Sequence, residues 1–246
     1  MTISVVVPAY NEEEVLPACI EALLSQTRTP DEIIIVDNNS SDRTAEVARS
    51  YGVRVIVEPQ QGIMPAVYRG VSESKGDIIA RCDADSIVPS DWIERIEKKM
   101  QARPEAAGVT GPGDFYGTNR IRARLAQVWY MYAYFLLVGS ALANWPIFGS
   151  NCALRRTAWD AIADEVHRER TDIHDDMEIS AHIQPTQPIV FMPTLVVGIS
   201  ARALRQNDMQ RRYRYGWNTL ALHWPSHSPW RRWRMRLSVM SSKNIQ

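Results

Sequence analysis

The sequence predicts an α/β fold: a mostly parallel sheet flanked by helices, followed by a basic, aromatic, helical C-terminal extension. Three observations predict it. Four short apolar runs alternate with helix-period segments over the first half of the chain, the rhythm of a parallel sheet covered on both faces. Polar residues directly follow the runs, as Asn11-Glu12, Asp37-Asn38-Asn39-Ser40 and Asp83/Asp85, where ligands of such sheets bind. The fourth run ends on Asp83-Ala84-Asp85, a pair of carboxylates that costs desolvation unless a cation neutralises it.

Taken in order, residues 2–7 read as the first strand, stopped by Pro8. Residues 13–26 read as a helix with Val15, Leu16, Cys19, Ile20, Leu23 and Leu24 on one face. Residues 32–36 form a second strand. Ser41 or Asp42 caps a helix over 44–51, which Gly52 ends. Residues 53–57 are the third strand, 64–74 a helix closed by Gly76, and 78–82 the fourth strand. Further on, Ser90 or Asp91 caps a helix over 91–101, and 109–111 reads as a strand. Helices are expected over 120–143, from 157 to about 163, and over 175–182, with strands at 148–154 and 189–192. From Gln206 the tail is helical and rich in Trp and Arg.

Bulk numbers allow one large domain of 246 residues, with 45% apolar and 23% charged residues. The formal net charge is zero, yet residues 201–246 hold ten bases and one acid. A basic tail on an acidic body suits an anionic partner: a pyrophosphate, a phospholipid surface or nucleic acid. Cys19, Cys82 and Cys152 are odd in number and widely spaced, so neither a disulfide framework nor a zinc site is expected from them, and a reducing compartment fits best. The chain opens on a strand, so no secretory leader is expected and the location is cytoplasmic. Residues 125–143 carry no charge over 19 positions, but Tyr130, Tyr132 and Tyr134 lie in the middle rather than at the ends, which favours a buried or interface-lying helix over a span.

Oxygen ligands such as Asp83 and Asp85 suit Mg²⁺ or Mn²⁺, which join one or two carboxylates to substrate phosphates. Asp37 is placed to accept from a ribose or a base, although a turn residue capping the next helix would look the same. Pro8-Ala9-Tyr10 can wall a base, and Gln61-Gly62 precedes a helix whose first N–H groups can meet an anion. Asp175-Asp176 fits a helix N-terminus as well as a reacting centre.

Five stretches, in order, carry a resemblance to a known family: Val5-Val6-Val7-Pro8-Ala9-Tyr10-Asn11-Glu12, residues 35–44, Gly76-Asp77 leading into Asp83-Ala84-Asp85, residues 149–156, and His174-Asp175-Asp176-Met177-Glu178-Ile179-Ser180. Over roughly residues 3–202 the chain resembles the family 2 glycosyltransferases, inverting enzymes of the Rossmann-like GT-A fold. The resemblance implies a GT-A domain over 1–202, with a nucleotide-binding half at 1–90 and an acceptor and catalytic half at 91–202, and an extension over 203–246. It implies metal-dependent transfer from a UDP- or GDP-sugar to an acceptor hydroxyl. By matching position, Glu12 and Asp37 would serve the nucleoside, Asp83 the ribose or diphosphate, Asp85 the metal, and Arg202 the diphosphate; Pro8, Ala9, Tyr10, Asn39 and Gly62 complete the expected nucleotide site. Asp176 would be the general base beside Asp175, which stands where the family more often has Glu, and Asn151 and His174 would meet the sugars.

Two rival readings differ in class. A sugar-phosphate nucleotidyltransferase would need a Gly-rich, basic signature after the first strand, and Pro8-Ala9-Tyr10-Asn11-Glu12 has none. A non-catalytic nucleotide-binding member would not need Asp85 and Asp176 intact. In the tail, Trp224, Trp230 and Trp233 interleave with Arg231, Arg232, Arg234 and Arg236. That composition suits packing on the core or a peripheral position at the inner face of a membrane, with a polyprenyl-phosphate or other lipid-linked acceptor, better than nucleic acid.

Overall fold

The computed structural model describes residues 1–204 and 206–243. The strands and helices alternate as β1 (Ile3–Ala9), α1 (Leu16–Leu24), β2 (Glu32–Asp37), α2 (Thr44–Ser50), β3 (Arg54–Val57), α3 (Ile63–Glu73) and β4 (Ile78–Arg81). Then come α4 (Trp92–Ala102), β5 (Gly108–Thr110), β6 (Gly113–Tyr116) and α5 (Arg120–Ala126). The helix continues through two π-helical stretches, Gln127–Tyr132 and Tyr134–Val138, into α6 (Gly139–Leu142). The remainder is β7 (Cys152–Arg155), α7 (Arg156–Asp160), α8 (Asp175–His182), β8 (Ile189–Phe191), β9 (Val197–Ser200), a 3₁₀ turn (Ala201–Leu204), α9 (Gln206–Leu222) and α10 (Pro229–Lys243).

Seven strands make one sheet in the order β3-β2-β1-β4-β7-β5-β8. It is parallel except where β7 runs against β4 and β5. β1 is central and buried along its whole length, so its alternating side chains feed both faces. Val5 and Val7 pack with Leu16, Ile20 and Trp92 on one side. Val6 packs with Met64, Val67, Trp159 and Ile179 on the other. Because β1, β2 and β4 are parallel neighbours, the loops after Ala9, Asp37 and Arg81 emerge at one edge. A mixed sheet of this kind, flanked by helices, is the predicted fold class.

Several boundaries moved for local reasons. α1 starts at Leu16, because Glu12–Val15 form a turn in which Val15 and Leu16 donate to the Glu12 carbonyl. β7 starts only at Cys152, because residues 149–151 turn, with Asn151 N–H donating to Phe148 O. β6 and β9 form a separate two-stranded parallel sheet that the sequence reading did not contain. The tail is helical from Gln206, as expected, in two helices parted around Pro225. The uncharged stretch is not a buried helix: Met131 and Phe135 face the core, but Leu125, Val128, Trp129, Leu136 and Leu137 are exposed. It is long and apolar enough to cross a membrane by length and composition.

α10 is held to the body by Arg232, Trp233 and Arg236, which all donate to backbone carbonyls of the helix ends beneath it. Arg232, 0% exposed, donates to the carbonyls of Leu142, Ala181 and Ile183, capping the C-terminal ends of α6 and α8. Of the two expectations for the tail, packing on the core and contact with a membrane, Arg232 follows the first. Trp224, Trp230 and Trp233 stay largely outside, the last donating to Ser140 O.

Candidate active site

Arg81 closes β4 and is buried, with three carboxylates around its guanidinium. Its Nη1 lies 2.6 Å from Asp175 Oδ2 and 3.1 Å from Asp176 Oδ1, and its Nη2 lies 3.4 Å from Asp83 Oδ1. The acidic pair after β4 and the acidic pair opening α8 thus share one cation. The turn before β7 completes the cage: Gly149 N–H donates to Asp176 Oδ2 at 2.8 Å and Ser150 Oγ to Asp83 Oδ2 at 2.5 Å. A Cβ on residue 149 would stand 2.5 Å from Asp176 Oδ1 and 2.6 Å from the guanidinium, so only glycine lets the backbone approach this closely.

The electrostatics divide the two carboxyls of α8. Burial and the neighbouring Asp175 charge push the Asp176 carboxyl well above the usual range, more than Arg81 and the Gly149 N–H pull it down. Asp175 is buried too, but Arg81 and His174 outweigh burial and hold it below its ordinary value. One member of the pair is a charged anchor and the other a strong base.

Arg202, just after β9, makes the second cluster. Its Nη2 lies 2.8 Å from Glu12 Oε2 and 3.0 Å from Asp85 Oδ2, and Tyr116 Oη donates to Asp85 O at 2.7 Å. Burial, with repulsion from Asp83, keeps the Asp85 carboxyl raised despite Arg202, and burial raises Glu12 as well. Among the described residues, one guanidinium pairs with the two carboxylates while Arg212 acts from farther off and Asp83 stands close by, which leaves the cluster short of positive charge. That deficit, with an all-oxygen donor set, fits a hard divalent cation on Asp85. His174, Asp175 and Asp176 also bring ligand-type atoms within 4.8 Å of one another, but Arg81 already serves both carboxylates there.

The nucleotide-type residues line the same edge. Pro8 and Ala9 are buried at the end of β1, and Tyr10 beyond them is exposed. The loops after β1 and β2 are tied by Asn11 N–H to Ser40 Oγ at 3.0 Å and Ser41 N–H to Asn11 Oδ1 at 2.8 Å. Asn39 takes a left-handed conformation in that turn, and buried Asp37 accepts weakly from Ser40 N–H at 3.4 Å. His174 lies beside Asp175, its Nδ1 3.9 Å from Oδ1, with its ring stacked on Tyr134.

Two expectations need correction. Asn151 is 0% exposed, donates to Pro112 O and Leu195 O, and accepts from Trp92 Nε1, so both amide hydrogens are spent on the fold and none is left for a sugar. The Gly62 N–H donates to Asn38 Oδ1 at 2.7 Å, so it is not open to an anion. Arg81, Ser150 and Arg212 join the site without a role that the sequence alone assigns them. Arg81 was legible as a charge inside an otherwise apolar strand. Arg212, from α9, donates to Tyr130 Oη at 2.6 Å and feels Asp83 and Asp176, which no spacing in the tail discloses.

Residues 4–162 match the family model described as glycosyl transferase family 2. An undecaprenyl-phosphate 4-deoxy-4-formamido-L-arabinose transferase of Pectobacterium carotovorum is 38% identical over 104 residues, which are 38% of this chain and 32% of that protein. The solved structure of a mannosyltransferase from Pyrobaculum calidifontis with GDP-Man and Mn²⁺ superposes with a TM-score of 0.61 at 20% identity, over 80% of this chain and 56% of that one. Glucosyl-3-phosphoglycerate synthase from Mycobacterium tuberculosis, with Mn²⁺, UDP and its product, gives 0.55 at 20% identity, over 81% and 70%. At these identities the solved structures speak to fold. The matched stretch spans 33% to 43% of the first curated relatives' own lengths.

Proposed function

Because the chain belongs to glycosyl transferase family 2, we propose that it transfers a sugar from a UDP- or GDP-linked donor to an acceptor hydroxyl with inversion at the anomeric carbon. The observation that carries this reading is the meeting of Asp83, Asp175 and Asp176 on Arg81, one strand end away from the Asp85–Arg202–Glu12 cluster. A base and the groups proposed to meet the diphosphate then stand together around the exit of β4.

Asp176 takes the proton of the acceptor hydroxyl as its oxygen attacks the anomeric carbon. Its raised basicity brings it closer to the operating pH, where a general base is most effective. Arg81 and the Gly149 N–H aim the carboxylate. Asp175, held ionised, keeps Arg81 in place. On the donor side, Arg202 and Arg212 offer guanidinium donors to the departing diphosphate. Asp85 would hold a Mg²⁺ or Mn²⁺ ion, which when bound supplies Lewis-acid stabilisation of that leaving group. Pro8, Ala9, Tyr10, Glu12, Asp37 and Asn39 serve the nucleoside. Residues 1–90 are the nucleotide-binding half and 91–202 the catalytic half, with 203–246 as the extension.

A lipid-linked acceptor is supported by the surface beside the site. Trp129 and Leu137 on the π-helical stretches and Trp217 on α9 are each more than 70% exposed. α9 meets the stretch through Arg212 and Tyr130, and α10 meets α6 at its end through Trp233 and Ser140, so the helices that carry these side chains are neighbours. A curated relative is named for undecaprenyl phosphate. The test is donor turnover with UDP- and GDP-sugars and Mn²⁺, with and without a short polyprenyl phosphate in detergent. Failure of every nucleotide to shift the melting temperature, together with no donor consumed, would remove the proposal.

A further inference from the structure

Three of the five histidines of the chain meet one buried carboxylate of α8, and a fourth, His227, meets one of the three. Glu178 Oε1 lies 2.8 Å from His167 Nδ1 and 3.0 Å from His182 Nε2, and Oε2 lies 2.7 Å from His223 Nε2. Glu178 and His182 stand one turn apart on α8, His167 comes from the loop before it, and His223 from just past the end of α9. One ligand-type atom from each of the four lies within 4.8 Å of all the others.

Hydrogen-bond bookkeeping makes the cluster more than a packing of imidazoles. His182 has carboxylate oxygens at both ring nitrogens, Glu178 on Nε2 and Glu165 Oε2 at 3.3 Å from Nδ1. A neutral imidazole has one N–H and satisfies only one of them. His223 faces Glu178 with Nε2 and His227 Nδ1, at 3.3 Å, with Nδ1. If each ring gives its Nδ1 proton outward, two Nε2 lone pairs are left pointing at the Glu178 carboxylate. A cation between them resolves the conflict, and the outer partners then fix the tautomers as they do at metal-bound histidines.

We propose that His167, Glu178, His182 and His223 bind one divalent transition metal, zinc by donor type. Three imidazoles and one carboxylate suit zinc and not the Mg²⁺ or Mn²⁺ that an all-oxygen site takes. In a tetrahedral zinc site the ligand atoms stand about 3.3 Å apart, which small side-chain shifts reach from here. Glu178 is already fixed by the His167 backbone N–H at 3.0 Å, and the partly exposed His167 gives the ion an entry path. The ion pins the end of α9 to the helix that carries Asp175 and Asp176. None of the three cysteines takes part in the site.

The test is zinc binding by the chelator-stripped full chain, read by equilibrium dialysis, by the visible spectrum after Co²⁺ substitution, and by thermal shift. The wild type is expected to bind one equivalent, with a tetrahedral Co²⁺ spectrum and a raised melting temperature. His167→Gln, whose site is partly exposed and which should fold, and His223→Gln should weaken binding by more than the roughly 10- to 100-fold that loss of an outer partner costs. Asp85→Asn should bind zinc as the wild type does. Absence of a bound equivalent, or wild-type affinity in both histidine variants, would overturn the proposal. A cluster held together by protons alone would give the first of those outcomes.

Discussion

Arg81 and Asp176 are 95 residues apart in sequence, yet they meet at 3.1 Å between the guanidinium and Oδ1. The contact joins the end of β4 to the start of α8, and with it the two acidic motifs of the chain. Arg81 also touches Asp83 and Asp175, so three carboxylates depend on one buried cation. A buried pair of this kind adds little to stability while intact, but removing one partner strands a charge.

Asp176→Asn should abolish transfer while sparing the fold. Asn keeps the shape and can donate to Asp175, but it cannot accept the acceptor's proton. A loss of at least about 10²- to 10⁴-fold in kcat is expected, the range for a positioned acid–base group. Donor hydrolysis and transfer would be followed by release of nucleoside diphosphate. Turnover equal to the wild type would exclude Asp176 as base.

The pH profile carries the sign of the Asp176 shift. A base works only when ionised, so kcat/KM should rise with pH through a carboxyl value above the ordinary Asp range of about 3.9. Asp175→Asn removes the nearest like charge and should move that limb to lower pH. Stability runs the other way. A carboxyl raised by folding costs stability once pH exceeds its unfolded value, because ionisation is then resisted only in the folded state. Asp176→Asn should therefore match or exceed the wild-type melting temperature near neutral pH, with the advantage fading below about pH 4. A limb at the ordinary carboxylate position would remove this account.

Arg81→Met should cost about 3–5 kcal/mol, because Asp175 and Asp176 would be buried without a countercharge. For a chain of this size that is a fall of roughly 10 °C in melting temperature. Adding Asp176→Asn should restore part of it, and the double-mutant cycle measures how much the pair couples. Full additivity would mean that the contact carries no energy.

Arg202 competes with any cation for Asp85 and Glu12. Arg202→Ala should tighten Mn²⁺ binding to the free protein and weaken nucleoside diphosphate binding by about tenfold or more, since a charge-assisted donor is worth roughly 1.5–3 kcal/mol. Isothermal titration with each ligand separately decides it. Weaker Mn²⁺ binding in the variant would contradict the competition.

The first four strands and their helices were legible because a parallel sheet writes itself as short apolar runs between helical periods. The acidic motifs were legible because charge at a strand exit has few structural uses. What escaped notice depended on contacts distant in sequence. Asn151 looked like a sugar ligand, and only the fold shows its amide spent on Pro112, Leu195 and Trp92. Arg232 looked like one more tail arginine until three helix-end carbonyls were seen to claim it. β6 and β9 are four residues each, with a glycine in both, too short to give a strand period.

The exposed apolar surface should bind lipid. Trp129, Leu137 and Trp217 are exposed on neighbouring helices, and exposed arginines stand at 120, 122, 124, 214, 231 and 234 on α5, α9 and α10. Indoles at the headgroup boundary with guanidinium groups on phosphates is the arrangement of an interfacial helix, and each arginine near an anionic surface adds about 1 kcal/mol. The protein should therefore sediment with phosphatidylglycerol vesicles at low salt, bind less as salt screens the arginines, and bind phosphatidylcholine weakly. Changing Trp129, Leu137 and Trp217 together to Ser should remove binding and leave the melting temperature within a few degrees, because exposed substitutions change stability by about 0.5 kcal/mol or less each. If the lipid face delivers the acceptor, the same variant should lose activity on a polyprenyl phosphate in vesicles yet keep it on a short soluble analogue. Vesicle binding unchanged in the triple variant would show that this face does not touch the membrane.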